Sequence, residues 1–285
     1  MRVTKGVLYV VATPIGNLED LSTRAVDTLR KVDLIAAEDT RHSRPLLRHY
    51  GIETPLQSFH EHNERAKLDK MLSLLRAGKS LALVSDAGTP LISDPGFPLV
   101  REAAAAGFPV VPVPGPSALT CALSAAGLPT DRFLFVGFPP RNKTQRRHWF
   151  DQLTQERATL VLYESGHRIK ASLADMAASF GNEREAVLAR ELTKLHETFL
   201  RGSLEQLMAR VTEDENQCKG ELVVLLAGAA PKAAGQSLSV DVDKLLPRLL
   251  QEMPLKRAVS LLAELTGAKK NLLYDQALKL KQAKM

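Results

Sequence analysis

Two rhythms of apolar and polar residues alternate along most of the chain. Short unbroken apolar runs at residues 7–12, 34–37, 81–84 and 110–113 read as strands covered on both faces. Between them, residues 21–31, 68–77 and 99–106 repeat at helical spacing, as in the series Leu21, Arg24, Ala25, Thr28 and Leu29. Gly78 and Gly107 stand just past the second and third of these stretches and suit helix C-caps. The rhythm restarts near residue 133. Strands are predicted at 133–136, 159–163, 186–189 and 222–226, and helices at 146–157, 169–180 and 204–211. The small apolar segment 117–127 reads as a helix leading from the first unit to the second. Such alternation predicts an α/β fold: two α/β domains with mostly parallel sheets, over residues 1–118 and 119–230. Residues 229–239 have a linker composition. After them, residues 240–285 read as a basic helical extension. Its short helices at 242–251, 256–266 and 270–280, the last two parted by Gly267, resemble a helix-turn-helix.

Charge and cysteine content narrow the setting. The two cysteines, Cys121 and Cys218, lie far apart, so a disulfide framework is not expected and a reducing cytoplasm fits. No apolar run reaches the length of a membrane-spanning helix, and no cleavage pattern follows the first one. A cytoplasmic protein without a membrane partner is the expectation. The net charge is +6, and from Lys232 onward ten Lys/Arg face five Asp/Glu. This balance is compatible with nucleic acid as a partner or with a solvated helical surface.

Candidate chemistry lies in the strand-end loops, because ligands of parallel sheets gather outside the carboxyl ends of the strands. Residues 13–17, 38–44, 85–96 and 114–118 follow the first four strands, and all are dense in Gly, Pro, Asp and Ser/Thr. Four such loops at one sheet edge point to a ligand site without naming the ligand. No G-x-G-x-x-G follows the first strand, so the common dinucleotide fingerprint is absent. Ala77-Gly78-Lys79-Ser80 precedes a strand and lacks the leading glycine of a P-loop. Phe59-His60-Glu61-His62 has no further His/Cys set at a fixed spacing, and no metal is implied.

Six ordered segments carry a family resemblance: Thr13-Pro14-Ile15-Gly16-Asn17-Leu18, Ala37-Glu38-Asp39-Thr40-Arg41, Ser85-Asp86-Ala87-Gly88-Thr89-Pro90, Pro114-Gly115-Pro116-Ser117-Ala118, Tyr163-Glu164-Ser165-Gly166-His167-Arg168 and Ala189-Arg190-Glu191-Leu192-Thr193-Lys194. Together, over about residues 5–228, they resemble the tetrapyrrole-methylase fold family. Within it they are similar to the bacterial subgroup that methylates a cytidine 2′-hydroxyl in small-subunit (16S) ribosomal RNA. The first loop lacks the Gly-x-Gly-Pro-Gly of porphyrin and corrin methylases, and the third has Asp-Ala-Gly where they have Gly-Asp-Pro. Both departures argue against a tetrapyrrole substrate. The resemblance implies S-adenosylmethionine held in a cleft between the two domains, and a homodimer acting on 16S rRNA, in the small ribosomal subunit. Carried over by motif, the cofactor contacts are expected at Pro14, Asp86, Gly88, Thr89, Ser117, Ala118 and Tyr163, with Leu225 beside the adenine.

Methyl transfer from a sulfonium is an in-line displacement in which alignment supplies much of the rate. A ribose hydroxyl has a pKa far above neutral, so a base is useful. The candidates are Glu38, Asp39 and Glu191, each of which has a neighbouring cation and could instead form an ion pair. Arg41, Arg44 and Arg48 in the second loop, and Arg141, Lys143, Arg146 and Arg147 after Gly137-Phe138-Pro139-Pro140, are expected to meet the RNA backbone. A methylase of the same fold acting on a small molecule and a noncatalytic RNA-binding module are the other two readings.

Overall fold

A computed structural model describes residues 6–230, 242–266 and 268–282. The chain forms two compact units, Met1–Ala229 and Ala230–Met285. In chain order the first unit opens with β1 (Leu8–Val11), α1 (Thr23–Lys31), β2 (Leu34–Ala37), α2 (Thr40–His49), β3 (Leu56–Ser58), α3 (Glu64–Arg76), β4 (Leu81–Val84), α4 (Phe97–Ala105) and β5 (Val110–Val113). The five strands make one sheet in the order β3-β2-β4-β1-β5, parallel throughout. Every second residue of a strand faces the same layer, and the core divides accordingly. Val11, Ile35, Ala37, Ala82 and Val84 pack under α1 and α2, with Ala25, Leu29 and Leu47. Leu8, Ala36, Leu81 and Leu83 pack under α3 and α4, with Met71, Leu75 and Leu99.

The unit continues with α5 (Ala118–Ala126), β6 (Phe133–Gly137), α6 (Lys143–Leu153), β7 (Thr159–Ser165), α7 (Gly166–Phe180), β8 (Glu185–Arg190), β9 (Thr198–Ser203), α8 (Leu204–Glu213) and β10 (Glu221–Leu226). These strands form a second sheet in the order β6-β7-β10-β8-β9. Here the expectation of a mostly parallel sheet is corrected: only β6 and β7 run parallel, and the other three pairings are antiparallel. The inner strands β7, β8 and β10 are buried along most of their length whichever way they run, so their apolar runs carry no mark of direction. Leu222, Val224 and Leu226 of β10 face α6, α7 and α8, while Val223 and Leu225 face α5. The small residues of α5 thus cover the second sheet, although α5 follows directly from the first.

Three elements were not anticipated. The second loop continues from Glu38 and Asp39 into α2, where Arg and His positions and an internal Pro45 disguise the helical repeat. β3 and β9 are edge strands of mixed polarity, each only half-buried along most of its length. The second unit holds α9 (Val242–Glu252), α10 (Leu255–Thr266) and α11 (Lys270–Gln282), close to the predicted spans. Leu246, Val259, Leu262, Leu273 and Ala277 form its core. Most of the predicted linker, and Gly267, lie outside the described residues.

Candidate active site

The strand-end loops of the first sheet are tied to one another before any ligand is considered. Thr13 and Gly88 exchange backbone hydrogen bonds of 2.9 and 3.0 Å, joining the first loop to the third. Gly88 sits at φ +84°, and a Cβ there would come within 3.3 Å of Ile15 Cγ2. A side chain at this position is both strained and crowded. Thr89 Oγ1 donates to Pro116 O at 3.0 Å, joining the third loop to the fourth. Leu91 and Ser93 hold left-handed backbone at φ +73° and +69°. Non-glycine residues adopt this conformation at a cost of about 1–3 kcal/mol each and concentrate at functional sites.

These loops form one side of a cavity of about 390 Å³, and the second sheet forms the other. Ile15, Asp86, Gly88, Thr89, Ile92, Asp94, Ser117 and Ala118 line the first side; Tyr163, Leu192, Leu222 and Val223 line the second. Tyr163 makes T-shaped contacts with both Phe135 and Phe138, with ring centroids 4.8 and 5.5 Å away. Its hydroxyl accepts a hydrogen bond from the Leu119 amide at 3.2 Å, in the first turn of α5. The size falls in the range of small-molecule sites, with an apolar lining and a few convergent polar groups.

No Lys or Arg lines this cavity, whereas Glu38, Asp86 and Asp94 do. Burial, with Glu38 and Asp86 nearby, pushes the Asp94 carboxyl up to about 7, against the opposing effect of a Ser85 hydrogen bond. Burial also raises Glu38, and the Asp86 charge adds to it. Glu164 reaches the lining too, but its carboxylate is engaged behind the wall. It accepts from the Ser165 amide at 2.9 Å and from the Ser172 hydroxyl, and lies 3.3 Å from Arg168 Nε. Glu221 reaches the lining as well and pairs with Lys194 Nζ at 2.9 Å, so the cavity's own field comes from Glu38, Asp86 and Asp94, without a cation among the lining residues.

Asp86, Gly88, Thr89, Ser117, Ala118 and Tyr163, all expected as cofactor contacts, converge on this cavity. Pro14 does not line it; its neighbour Ile15 does. Leu225 is fully buried in the layer beneath α5, and the β10 residues that reach the cavity are Glu221, Leu222 and Val223. Of the base candidates, Glu38 lines the cavity and Asp39 does not. Asp39 caps α2 by accepting from the Arg41 amide at 2.8 Å, and it pairs with Arg41 Nη2 at 2.7 Å. The guanidinium holds its carboxyl at about 2. Glu191 is likewise engaged, with Lys194 Nζ at 2.8 Å.

The basic clusters divide sharply. Arg41, Arg44 and Arg48 are exposed on α2, and Arg141, Lys143 and Arg147 are exposed around the start of α6. Arg146 is not available to RNA. It is 4% exposed and pairs with buried Asp175 at 2.6 Å. It also donates to the Pro140 and Arg141 carbonyls. The helical repeat turns it inward among outward-facing neighbours. Asp94 and Phe138 were not singled out, though each lies in a segment whose neighbours were: the Gly/Pro/Asp-rich third loop and the turn before the Arg141 cluster.

The fold and this cavity define a two-sheet α/β protein with a small-ligand site at its strand ends. The chain belongs to the tetrapyrrole (corrin/porphyrin) methylase family, whose model matches residues 7–208. Residues 236–281 match the model described as "RsmI C-terminal HTH domain". Among its relatives is the ribosomal RNA small subunit methyltransferase I of Pseudomonas aeruginosa, 54% identical over 96% of this chain and 97% of the relative. The protein of the same name from Xylella fastidiosa is 53% identical over 95% and 98%. Among solved structures, a Thermus thermophilus uroporphyrin-III-C-methyltransferase superposes with a TM-score of 0.55 at 21% identity, over 78% of this chain and 94% of that one. That likeness speaks for the fold.

Proposed function

We propose that the chain is an S-adenosylmethionine-dependent methyltransferase of small-subunit ribosomal RNA, and that its target is the 2′-hydroxyl of a cytidine. The observation that carries the cofactor assignment is the acidic, cation-free lining of the cavity. Such a field attracts a sulfonium-bearing ligand and repels the phosphates of a dinucleotide. When bound, S-adenosylmethionine supplies an activated methyl group, so the protein's task is alignment. Asp86 and Asp94 would hold the positively charged end. Leu192, Leu222, Val223 and the Tyr163 ring offer apolar surface for the adenine. The substrate assignment draws on the names of relatives that match nearly the whole chain. It also draws on the exposed arginines of α2 and the separate C-terminal unit, which we read as RNA contacts.

Glu38 is the candidate acceptor for the hydroxyl proton. It lines the cavity, and burial raises its carboxyl and makes it a better base, whereas Arg41 makes Asp39 a weak one. The reading includes a cytoplasmic homodimer; light scattering of the purified protein measures the dimer.

Incubating the protein with small ribosomal subunits and labelled S-adenosylmethionine, followed by mapping of the modified nucleotide, tests the whole assignment. A 2′-O-methylcytidine in 16S rRNA is the expected product. Label on a base, or none on the RNA, sinks it. Removing residues 236–285 should lower RNA methylation while leaving cofactor binding intact.

A further inference from the structure

A second cavity, of about 950 Å³, adjoins the first and shares Phe138 and Ser165 with it. Its character is opposite. Arg141, Arg146, His167 and Arg168 line it, and no Asp or Glu does; Arg146 and Arg168 are paired with Asp175 and Glu164, which leaves Arg141 and His167 for a ligand. Charge therefore changes sign across one short wall. An acidic chamber for a cation and a basic chamber for a polyanion meet at Phe138.

Phe138 is poorly explained as a core residue. It is 54% exposed, although it is a large apolar side chain. The backbone puts it there. β6 slips register between Phe135 and Gly137, and Gly137 takes φ +72°, so the chain leaves the sheet at this point. The turn that follows is held from behind. Arg168 Nη2 donates to the Pro139 and Pro140 carbonyls at 2.6 and 3.1 Å. Arg146 Nη1 donates to the Pro140 and Arg141 carbonyls at 3.4 and 3.2 Å. Two proline rings and two guanidiniums make this turn stiff, and the Phe138 ring meets that of Tyr163 in a T-shaped contact. An aromatic face fixed at the seam between a cation site and an anion site is suited to stacking a nucleobase.

We propose that Phe138 is the platform on which the target base stacks after it is turned out of the RNA strand, with the basic cavity receiving the nucleotide and Arg141 and His167 meeting its flanking phosphates. This rests on the RNA-methyltransferase reading. In a single-stranded loop the bases can be splayed out and stacked on an aromatic side chain, and a waiting aromatic face offsets part of the cost of unstacking. Arg168 and Arg146 are positioning residues here: their guanidiniums are engaged by the Pro139, Pro140 and Arg141 carbonyls and by Glu164 and Asp175, and they hold the platform in place.

The test uses the full-length protein, small ribosomal subunits and labelled S-adenosylmethionine, with calorimetry of S-adenosylmethionine alone as a second readout. Phe138→Ala and Phe138→Leu should each lower kcat/KM for the subunit by roughly tenfold or more, the scale of one lost base stack. Phe138→Trp should stay near wild type, and in the Ala and Leu variants kcat/KM for the subunit should fall several-fold more than cofactor affinity, since Phe138 also borders the first cavity. A fully active Phe138→Leu overturns the proposal, because leucine keeps the bulk and loses the aromatic face. A loss of cofactor affinity that accounts for the whole fall in rate also overturns it, and leaves Phe138 as a wall of the first cavity only. No transfer by the wild-type protein overturns the function reading, and this inference with it.

Discussion

The arginines of α2 and those around the start of α6 look alike in sequence and behave differently in the fold. On α2, Arg41 pairs with Asp39 at 2.7 Å while its side chain stays 87% exposed. At α6, Arg146 pairs with Asp175 at 2.6 Å with both side chains almost fully buried. The distances are nearly equal, yet the consequences diverge. Water screens the first pair, which costs little to break. The second is desolvated and also fixes a turn, so removing one partner strands a charge in the interior. Proximity of opposite charges does not decide what an ion pair does; the surrounding medium does.

The largest expected effect tests the buried member. Arg146→Met should destabilise the protein by about 3–5 kcal/mol. Thermal unfolding should show a fall of roughly 10 °C in midpoint. Replacing Asp175 by Leu in the same chain should restore much of the loss. A shift below about 2 °C for the single variant would mean that the pair is solvated like its counterpart on α2.

The contrast extends to carboxylates that have no cation. Asp94, at about 7, is protonated below that pH and ionised above it. A cationic ligand favours the ionised form, so S-adenosylmethionine affinity should rise several-fold from pH 6 to pH 8, with proton release on binding. Asp94→Asn should flatten that dependence. Calorimetry at the two pH values reads both, and an unaltered slope in the variant assigns the titration elsewhere.

Arg141→Glu should leave the unfolding midpoint unchanged and weaken RNA binding. It should also reduce the slope of binding against salt by about one. Salt titrations of binding to small subunits measure it, and an equal slope removes Arg141 from the RNA surface. The smallest effect belongs to Arg41→Ala. Without the guanidinium, the Asp39 carboxyl should rise from about 2 toward its ordinary value while the fold hardly responds. An NMR titration of the Asp39 carboxyl detects this. A carboxyl still near 2 would credit the helix-cap hydrogen bond instead.

Legibility in the sequence followed burial. Strands such as Leu81–Val84 and Leu34–Ala37 were plain because both faces are apolar. The same uniformity concealed the direction of β8 and β10, which only pairing with distant strands decides. β9 escaped notice because an edge strand alternates weakly and carries Arg201. Among site residues, the Gly/Pro/Asp punctuation of the third loop led to Asp86, Gly88 and Thr89. It did not distinguish Asp94, whose importance comes from charges brought together by folding. Arg146 misled because a helix start rich in cations does not reveal which of its sides faces inward.

The path of α5 has a mechanical consequence. Ser117 and Ala118 line the cavity, and the helix that follows them buries Ala122, Leu123 and Ala126 against Val161, Val187 and Val223 of the second sheet. Arg201 of β9 donates to the Ala125 and Ala126 carbonyls, pinning the far end. The helix therefore travels with the second half of the unit, and only the short stretch of residues 114–116 lies between its Ser117 cap and the first sheet. Any opening of the cavity is concentrated on those three residues, two of them prolines with little backbone freedom.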